Sequence, residues 1–450
     1  MNPRPRTKER TVPKPRIPCH FPWTNMYVSP NGDVRHCCST DHKAIGNLGT
    51  QTVTEIWNSP KFREVRRHVA AGDFDKARCN PNCEGLRNGK GFPWPADTVG
   101  SGELEANQRR AAENFAGGAQ IVDHLPTQLK IEFTDNCNFR CVMCFYDFIP
   151  PYNMVPERAV EQLRSAARVA THVVLMGGEV FMNRFDLDFI KRFSPAEGGS
   201  MGFVTNASML DDEKIALLRK FRRMGMQISI DGTTKDVFER IRVRGRWETV
   251  DANIRRVVQA ARELSAEGYE WNIHLAYVVM RSNLHDLAHA VSYAADLDVP
   301  IFFNPVKGFH LFDENIFVYV RPLRSSGNWQ RLLDAAFSTL EQRRTSYSHY
   351  ETVRAHLEEI RRYLSAGKID VPRGVLRLLR LVVKNDKDIG HLLGAFFGWR
   401  VEGVSLFETL SYVGDKTWRR LRARVSKSSS PSRAARGATG IHPGERPVVP

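Results

Sequence analysis

Three cysteines, Cys137, Cys141 and Cys144, fall within "CNFRCVMC", and no cysteine follows them in the 450-residue chain. Five others precede them: Cys19, Cys37, Cys38, Cys79 and Cys83. Two tight sets of this kind read as metal ligands or reactive thiols rather than as disulfides, given that the basic, Pro-rich "MNPRPRTKER" is not expected to act as a secretory signal. The C-x3-C-x2-C loop offers three thiolates to a four-iron cube, which normally takes four. With no fourth cysteine nearby, one iron is left for a ligand that is not protein. A structural zinc site would want four protein ligands, so zinc or buried structural thiols are the bland alternatives. In the upstream set, Cys19, Cys37, Cys79 and Cys83 supply four thiolates, enough to ligate either a cluster or a zinc ion completely. Spacing alone does not separate these two.

The elements that must position the cysteines follow from periodicity. "YVSPNGDVRHC" reads as a hairpin turning at Pro30-Asn31-Gly32-Asp33. "TVTEIWNSPKFREVRRHVAAG" and "SGELEANQRRAAENF" have helical spacing. From about residue 128 strand-like runs alternate with amphipathic helices: "LKIEFT", "HVVLMG", "MGFVTN", "MQISID", "WNIHLAYVVM" and "PIFFNPV" are the strands. Asp211 is placed to cap the helix that follows the third. Six such alternations predict an α/β fold with parallel strands, too few for an eight-unit barrel. The expected architecture is a partial (βα)6 barrel with its site at the strands' C-terminal ends. The cysteine loop directly follows the first strand and so belongs to that end. After about residue 311 the pattern turns helical.

The C-x3-C-x2-C loop after the first strand resembles the signature of the radical SAM superfamily, over roughly residues 128–310. Met143 stands where that family often has an aromatic before the last cysteine, and Phe145 follows it. The resemblance implies a 4Fe–4S cluster at Cys137, Cys141 and Cys144 whose open iron chelates S-adenosylmethionine (SAM). Reduction then yields a 5′-deoxyadenosyl radical that abstracts a substrate hydrogen. It further implies that Gly177, Gly178 and Glu179 of "MGGEVF" meet the methionine amino group, and that Asn206 contacts SAM. Ser229 and Asp231 would hydrogen-bond ribose or carboxylate. An arginine, Arg242 with Arg244 as its rival, would take the SAM carboxylate, and Val279 would line the adenine pocket. Upstream, "C-x12-G-x4-C", then "IGNLGTQTVTEIW", then "C-x3-C" resembles a SPASM or twitch extension. The implied auxiliary 4Fe–4S cluster would use Cys19, Cys37, Cys79 and Cys83. This block precedes the barrel, where the familiar arrangement places it after. Cys38 is left over, as a spare ligand, a buried thiol or a hydrogen-atom donor to a substrate radical. His20 and His36 are expected to support the ligands rather than to ligate.

The domains expected are a basic arm (1–16), a SPASM/twitch-like domain (17–95), a linker helix (96–127), the barrel (128–310), a mainly helical extension (311–425) and a basic tail (426–450). Of the net charge of +15, the arm carries six basic groups less one acid and the stretch 416–450 nine less one, so +13 sits in the two ends. Solvated tails are the plain reading; nucleic acid is a possible but less favoured partner. No run of about 18 apolar residues exists to span a membrane, and a cytoplasmic location is expected. "VPRGVLRLLRLVVK" reads as a packing helix more than a membrane-surface one. The resemblance implies a substrate that is a peptide, sugar or small metabolite, and a reducing partner such as flavodoxin or ferredoxin. Dehydrogenation, epimerisation or carbon–carbon or carbon–sulfur bond formation are the net reactions expected. A radical SAM methyltransferase or RNA-modifying enzyme, and a non-enzymatic metal-binding scaffold, are the competing readings.

Overall fold

A computed structural model describes residues 18–40, 43–80, 83–94, 100–146, 150–306, 314–316 and 328–366. The basic arm, the tail and "VPRGVLRLLRLVVK" lie outside these residues. The expected hairpin forms from β1 (Asn25–Val28) and β2 (Asp33–Arg35), paired antiparallel. Gly32 makes its turn possible with φ +83°, a conformation that favours glycine. β3 (Gly46–Asn47) pairs with β2. The helical stretch after it is two helices, Val53–Trp57 and Pro60–Ala70. The break is local chemistry: Pro60 confines Ser59 to extended backbone, and Ser59 then caps the second helix through Phe62 N–H.

All six strands of the alternating region are present: β4 (Gln128–Glu132), β5 (His172–Met176), β6 (Ser200–Thr205), β7 (Arg223–Ser229), β8 (Glu270–Val279) and β9 (Ile301–Pro305). They pair in parallel, each with the next. Helices such as Glu157–Ala167, Arg184–Arg192 and Trp247–Ser265 form the crossovers. Asp211 does cap Asp212–Leu218, accepting from Lys214 N–H at 3.0 Å. The order β3-β2-β1-β4-β5-β6-β7-β8-β9 shows one nine-stranded sheet that does not close. The hairpin is therefore built into the barrel sheet: β1 runs parallel to β4, with Tyr27 opposite Lys130.

Residues of one parity point toward the helices and are buried: Leu129, Ile131, Val173, Leu175, Met201, Phe203, Met224, Met226, Leu275 and Tyr277. The other parity is polar and half-buried, with Lys130, His172, Gln227 and His274. Alternation along a strand separates the two faces. The polar set is thus the concave face of the partial barrel. Beyond β9, helix Asn328–Gln342 packs on Leu287–Asp296, and helix Tyr350–Ala366 packs on β9. Among the described residues no helix is long and apolar enough to cross a membrane.

Candidate functional site

The cysteine loop leaves the C-terminal end of β4 and docks on the end of β5 and on the C-terminal end of helix Lys235–Ile241. Gly178 N–H donates to Thr134 O at 2.9 Å and Glu179 N–H to Asn136 O at 3.0 Å. That contact is what the two glycines permit. A Cβ on Gly178 would sit 1.8 Å from Asn136 O, and one on Gly177, whose φ is +130°, 2.6 Å from Thr134 O. On its other side the loop lies along residues 241–243, with Val142 N–H donating to Ile241 O at 3.0 Å and Arg140 N–H to Val243 O at 2.9 Å.

Glu179 is 1% exposed. Its carboxylate accepts from Thr205 Oγ1 at 2.7 Å, Asn206 N at 2.8 Å and Phe181 N at 3.2 Å, tying β5 to β6. Burial raises its pKa, against the pull of these bonds. Asn206 reaches the loop: its Nδ2 donates to Asn138 Oδ1 at 2.9 Å and lies 3.7 Å from Cys137 Sγ. Arg242 arrives from the other side, with Nη1 3.7 Å from Cys141 Sγ and Nη2 2.5 Å from Asp231 Oδ2. Arg244, by contrast, is exposed.

Two sequence expectations change here. Asp231 is fully buried with φ +55°, and its other oxygen accepts from Val278 N at 2.6 Å. Its carboxylate is committed to holding Arg242, not to meeting a ribose. Val279 belongs to the helix-facing row of β8 and is fully buried, so it cannot line a pocket on the concave face. Parity along the strand is the reason. Ser229 ends β7 on the concave side and is half-buried there.

The three thiols are half-buried and none is in a disulfide. Burial pushes Cys137 up to about 12 and Cys144 up to about 11, and raises Cys141. Donors oppose this: Phe139 N–H reaches Cys137 Sγ at 3.4 Å, and Arg242 faces Cys141. Such donors suit thiolates held by iron, and binding would release the thiol protons. The donor set therefore fits a cluster with three protein ligands.

The upstream set also converges. Cys19, Cys37, Cys79 and Cys83 line one cleft with His36, Phe74 and Phe92. Asn80, next to Cys79, is tied to the Cys37 segment by its N–H donating to Ser39 O at 3.0 Å. Burial raises Cys19 to about 11. It also keeps His36 neutral, with a pKa lowered to about 3, and lowers His20 to about 4. His20 is turned away, its Nδ1 2.8 Å from Thr24 Oγ1. Cys38 is exposed and is not part of that lining. A hydrogen bond from Cys37, then the Lys130 ammonium, holds its thiol below the usual range. Among the described residues, no three of His, Cys, Asp and Glu are drawn to the spacing of one metal ion.

A buried polar group between the two cysteine sites was not expected from the sequence. Tyr27 of β1 donates to Glu132 at the end of β4, and the buried Tyr146 hydroxyl, two residues past Cys144, lies against the same carboxylate. The signal was present in "LKIEFT": two charged residues, Lys130 and Glu132, share one face of an otherwise apolar strand.

The model of the radical SAM superfamily matches residues 131–294, and that of an iron–sulfur cluster-binding domain, SPASM, matches residues 19–84. GTP 3′,8-cyclase of Limosilactobacillus fermentum is 26% identical over 188 residues, covering 40% of this chain and 54% of that protein. Mycofactocin maturase MftC of Mycolicibacterium smegmatis is 24% identical over 240 residues, 53% of this chain and 54% of that one. The chain thus spans about half the length of these curated relatives. Streptococcus suis SuiB bound to precursor peptide SuiA matches with TM-score 0.39 and 14% identity, over 65% of this chain and 63% of that one.

Proposed function

This chain belongs to the radical SAM superfamily and carries a SPASM iron–sulfur domain ahead of its barrel, and from that premise we propose that it is a SAM-cleaving oxidoreductase. Its cofactors are a 4Fe–4S cluster with SAM and an auxiliary 4Fe–4S cluster. Cys137, Cys141 and Cys144 would hold the first cluster, which with SAM would supply radical hydrogen-atom abstraction from the substrate. The observation that carries the reading is the docking of that loop. Gly177 and Gly178 let the β5 end close on it, and Asn206 and Arg242 turn donors toward its sulfurs.

The chain's own residues divide the work. Asp231 fixes Arg242, and Glu179 fixes Asn206. Ser229, on the concave side, is free to meet SAM. Glu179 takes the methionine ammonium, the role that the radical SAM resemblance gives it, beside the backbone bond from its N–H to Asn136 O. Cys19, Cys37, Cys79 and Cys83 supply four thiolates to the auxiliary cluster, enough to leave no iron open. Such a cluster suits electron transfer, so dehydrogenation or bond formation is favoured over direct substrate ligation. Cys38 stands outside those four and in its thiol form could return a hydrogen atom in an epimerisation, a role that the Cys37 hydrogen bond and Lys130 disfavour by favouring its thiolate. The names of the relatives, a nucleotide cyclase and a maturase, support a small metabolite or a peptide as substrate. Flavodoxin or ferredoxin would reduce the first cluster.

Anaerobic reconstitution followed by assay for 5′-deoxyadenosine tests the reading. The expected result is SAM cleavage that depends on dithionite and disappears when Cys137, Cys141 and Cys144 are replaced by Ala. Iron-loaded protein that never cleaves SAM would refute it. Turnover in deuterated water separates the net reactions: only an epimerase fed by Cys38 would place solvent deuterium in product and lose product in Cys38→Ala.

A further inference from the structure

The concave face of the sheet can be read in layers from its register. One layer runs across the strands as Arg35, Tyr27, Lys130, Val174, Gly202, Gly225 and Asn272. The layer above it, nearer the cysteine loop, holds Glu132, Met176, Val204, Gln227 and His274. The charges in these layers are not balanced around Lys130. Its ammonium makes no ion pair or hydrogen bond with any described residue; its recorded interactions are electrostatic, with Cys38 and His172. The nearest acid on its own strand, Glu132, is engaged by Tyr27 and sits near Arg35. Arg35 itself stacks over Tyr27, 4.6 Å from the ring, and donates to Ser29 Oγ at 2.8 Å, with no carboxylate in an ion pair. No described carboxylate pairs with the Lys130 ammonium; the acidic group it faces is the Cys38 thiol, which it helps hold below the usual range.

The neighbour of Lys130 adds a second polar group. Ser200 Oγ donates to Thr171 O at 3.1 Å, so the 2.8 Å contact with His172 Nδ1 must carry the histidine's proton. Burial keeps the imidazole neutral, with its pKa lowered to about 4, and so leaves Nε2 as an acceptor. In the layer of Lys130 a Cβ on Gly202 would meet Val174 Cγ2 at 2.9 Å, whereas one on Gly225, three strands from Lys130, would meet nothing within 4 Å. Open space over this layer thus begins at β7.

We propose that Lys130 anchors an anionic group of the substrate, a carboxylate or a phosphate, at the middle of the concave face. Glu132, one layer nearer the cluster loop, marks the direction in which the reacting carbon lies. His172 Nε2 accepts from a hydroxyl or amine of the same molecule. This assignment rests on the radical SAM reading given above, because it takes the concave face as the substrate's side of the site.

The test uses reconstituted full-length protein with SAM, and two small probes, succinate and inorganic phosphate. Thermal midpoints are followed as each is titrated into wild type and Lys130→Met. Ligand binding to the folded state raises the midpoint in proportion to ln(1 + [L]/Kd). Wild type should respond to at least one probe, and Lys130→Met should need at least about tenfold more of it, the loss expected of a charge-assisted bond. A response to succinate alone assigns a carboxylate, and one to phosphate alone assigns a phosphate. No response to either probe, or equal responses in the two proteins, overturns the assignment. Iron content and 5′-deoxyadenosine formation are measured on the same samples. Normal values with equal responses refute the anchor while leaving the radical SAM reading intact; absent SAM cleavage refutes that reading instead.

Discussion

Replacing Gly178 by Ala should damage the SAM-cluster site while leaving the auxiliary site alone. The added Cβ would lie 1.8 Å from Asn136 O, 2.4 Å from Asn136 C and 2.9 Å from Asn136 N. All three are backbone atoms, so no rotamer change relieves the clash. The two loops must part, and with them go the bonds from Gly178 N to Thr134 O and from Glu179 N to Asn136 O. Two such bonds are worth about 1–3 kcal/mol net, and overpacking a tight contact adds about 1–3 kcal/mol. A loss of roughly 2–6 kcal/mol in unfolding free energy is expected on these terms. Because Asn136 directly precedes Cys137, the displacement also moves a ligand, so iron retained should fall toward the auxiliary cluster's share. Gly225→Ala is the control: its Cβ meets nothing within 4 Å, and Ala in a strand should be neutral or slightly stabilising. The assays are urea denaturation and iron content after anaerobic reconstitution. If Gly178→Ala matched Gly225→Ala in both, the close approach of the two loops would not be what holds the cluster loop in place.

Iron analysis should give about eight irons per chain from the stoichiometry of two cubes; triple replacement of Cys137, Cys141 and Cys144 should keep about half, and a zinc-only wild type would refute the two-cluster assignment. Asp231→Asn strands a buried guanidinium and should cost about 3–5 kcal/mol, read by urea denaturation; a cost below about 1 kcal/mol would show that the pair is not structural. His124 is held neutral by burial, its pKa lowered to about 4 although Nε2 meets Trp23 O at 2.7 Å. The unfolded chain binds that proton first, so stability present above pH 6.5 is lost as pH falls toward 4, by on the order of 3 kcal/mol. His124→Gln should flatten the stability profile of cluster-free protein in that window, and an unchanged slope would refute it. Glu179→Gln should weaken SAM binding about 10- to 150-fold with iron unchanged; equal affinity would confine Glu179 to joining β5 and β6.

Periodicity carried the fold because the helix-facing row of the barrel strands is mostly apolar and buried, while the opposite row mixes polar residues with Val174, Met176 and Val204. The hairpin was legible for a different reason: Asn31-Gly32 admits few other conformations. What could not be read was which of two neighbouring polar residues faces the site. Asp231 and Ser229 stand at the same strand end, yet the left-handed backbone at Asp231 turns its carboxylate into the core toward Arg242. Val279 failed by parity alone, since the end of β8 was not fixed closely enough to assign it a face. The break between Trp57 and Pro60 was visible as Asn-Ser-Pro but was outweighed by helical spacing on both sides. Lys130 and Glu132 were hidden for the opposite reason. They were absorbed into a strand whose apolar partners decided its assignment, and only the pairing of β1 with β4 shows that a tyrosine from the upstream block stands over them.

That pairing also accounts for how an auxiliary domain can precede the barrel. Main-chain hydrogen bonds between β1 and β4 set Tyr27 against Lys130 in register, so the position of the upstream block does not depend on a linker. The chain leaves the hairpin, crosses through Pro60–Ala70 and Gly102–Ala116, and returns as the adjacent parallel strand. β4 then ends in the cysteine loop, while β2, one strand beyond β1, ends next to Cys37 and Cys38. Both cysteine sites are consequently anchored to one contiguous set of strands, with Tyr27, Glu132 and Tyr146 filling the interval. Sheet register, set by the apolar row on the helix side, fixes the relation between the two sites. A substitution that shifts β1 by one residue would turn Tyr27 to the helices and Met26 to the concave face, disconnecting the hairpin from Glu132 while leaving every cysteine in the chain.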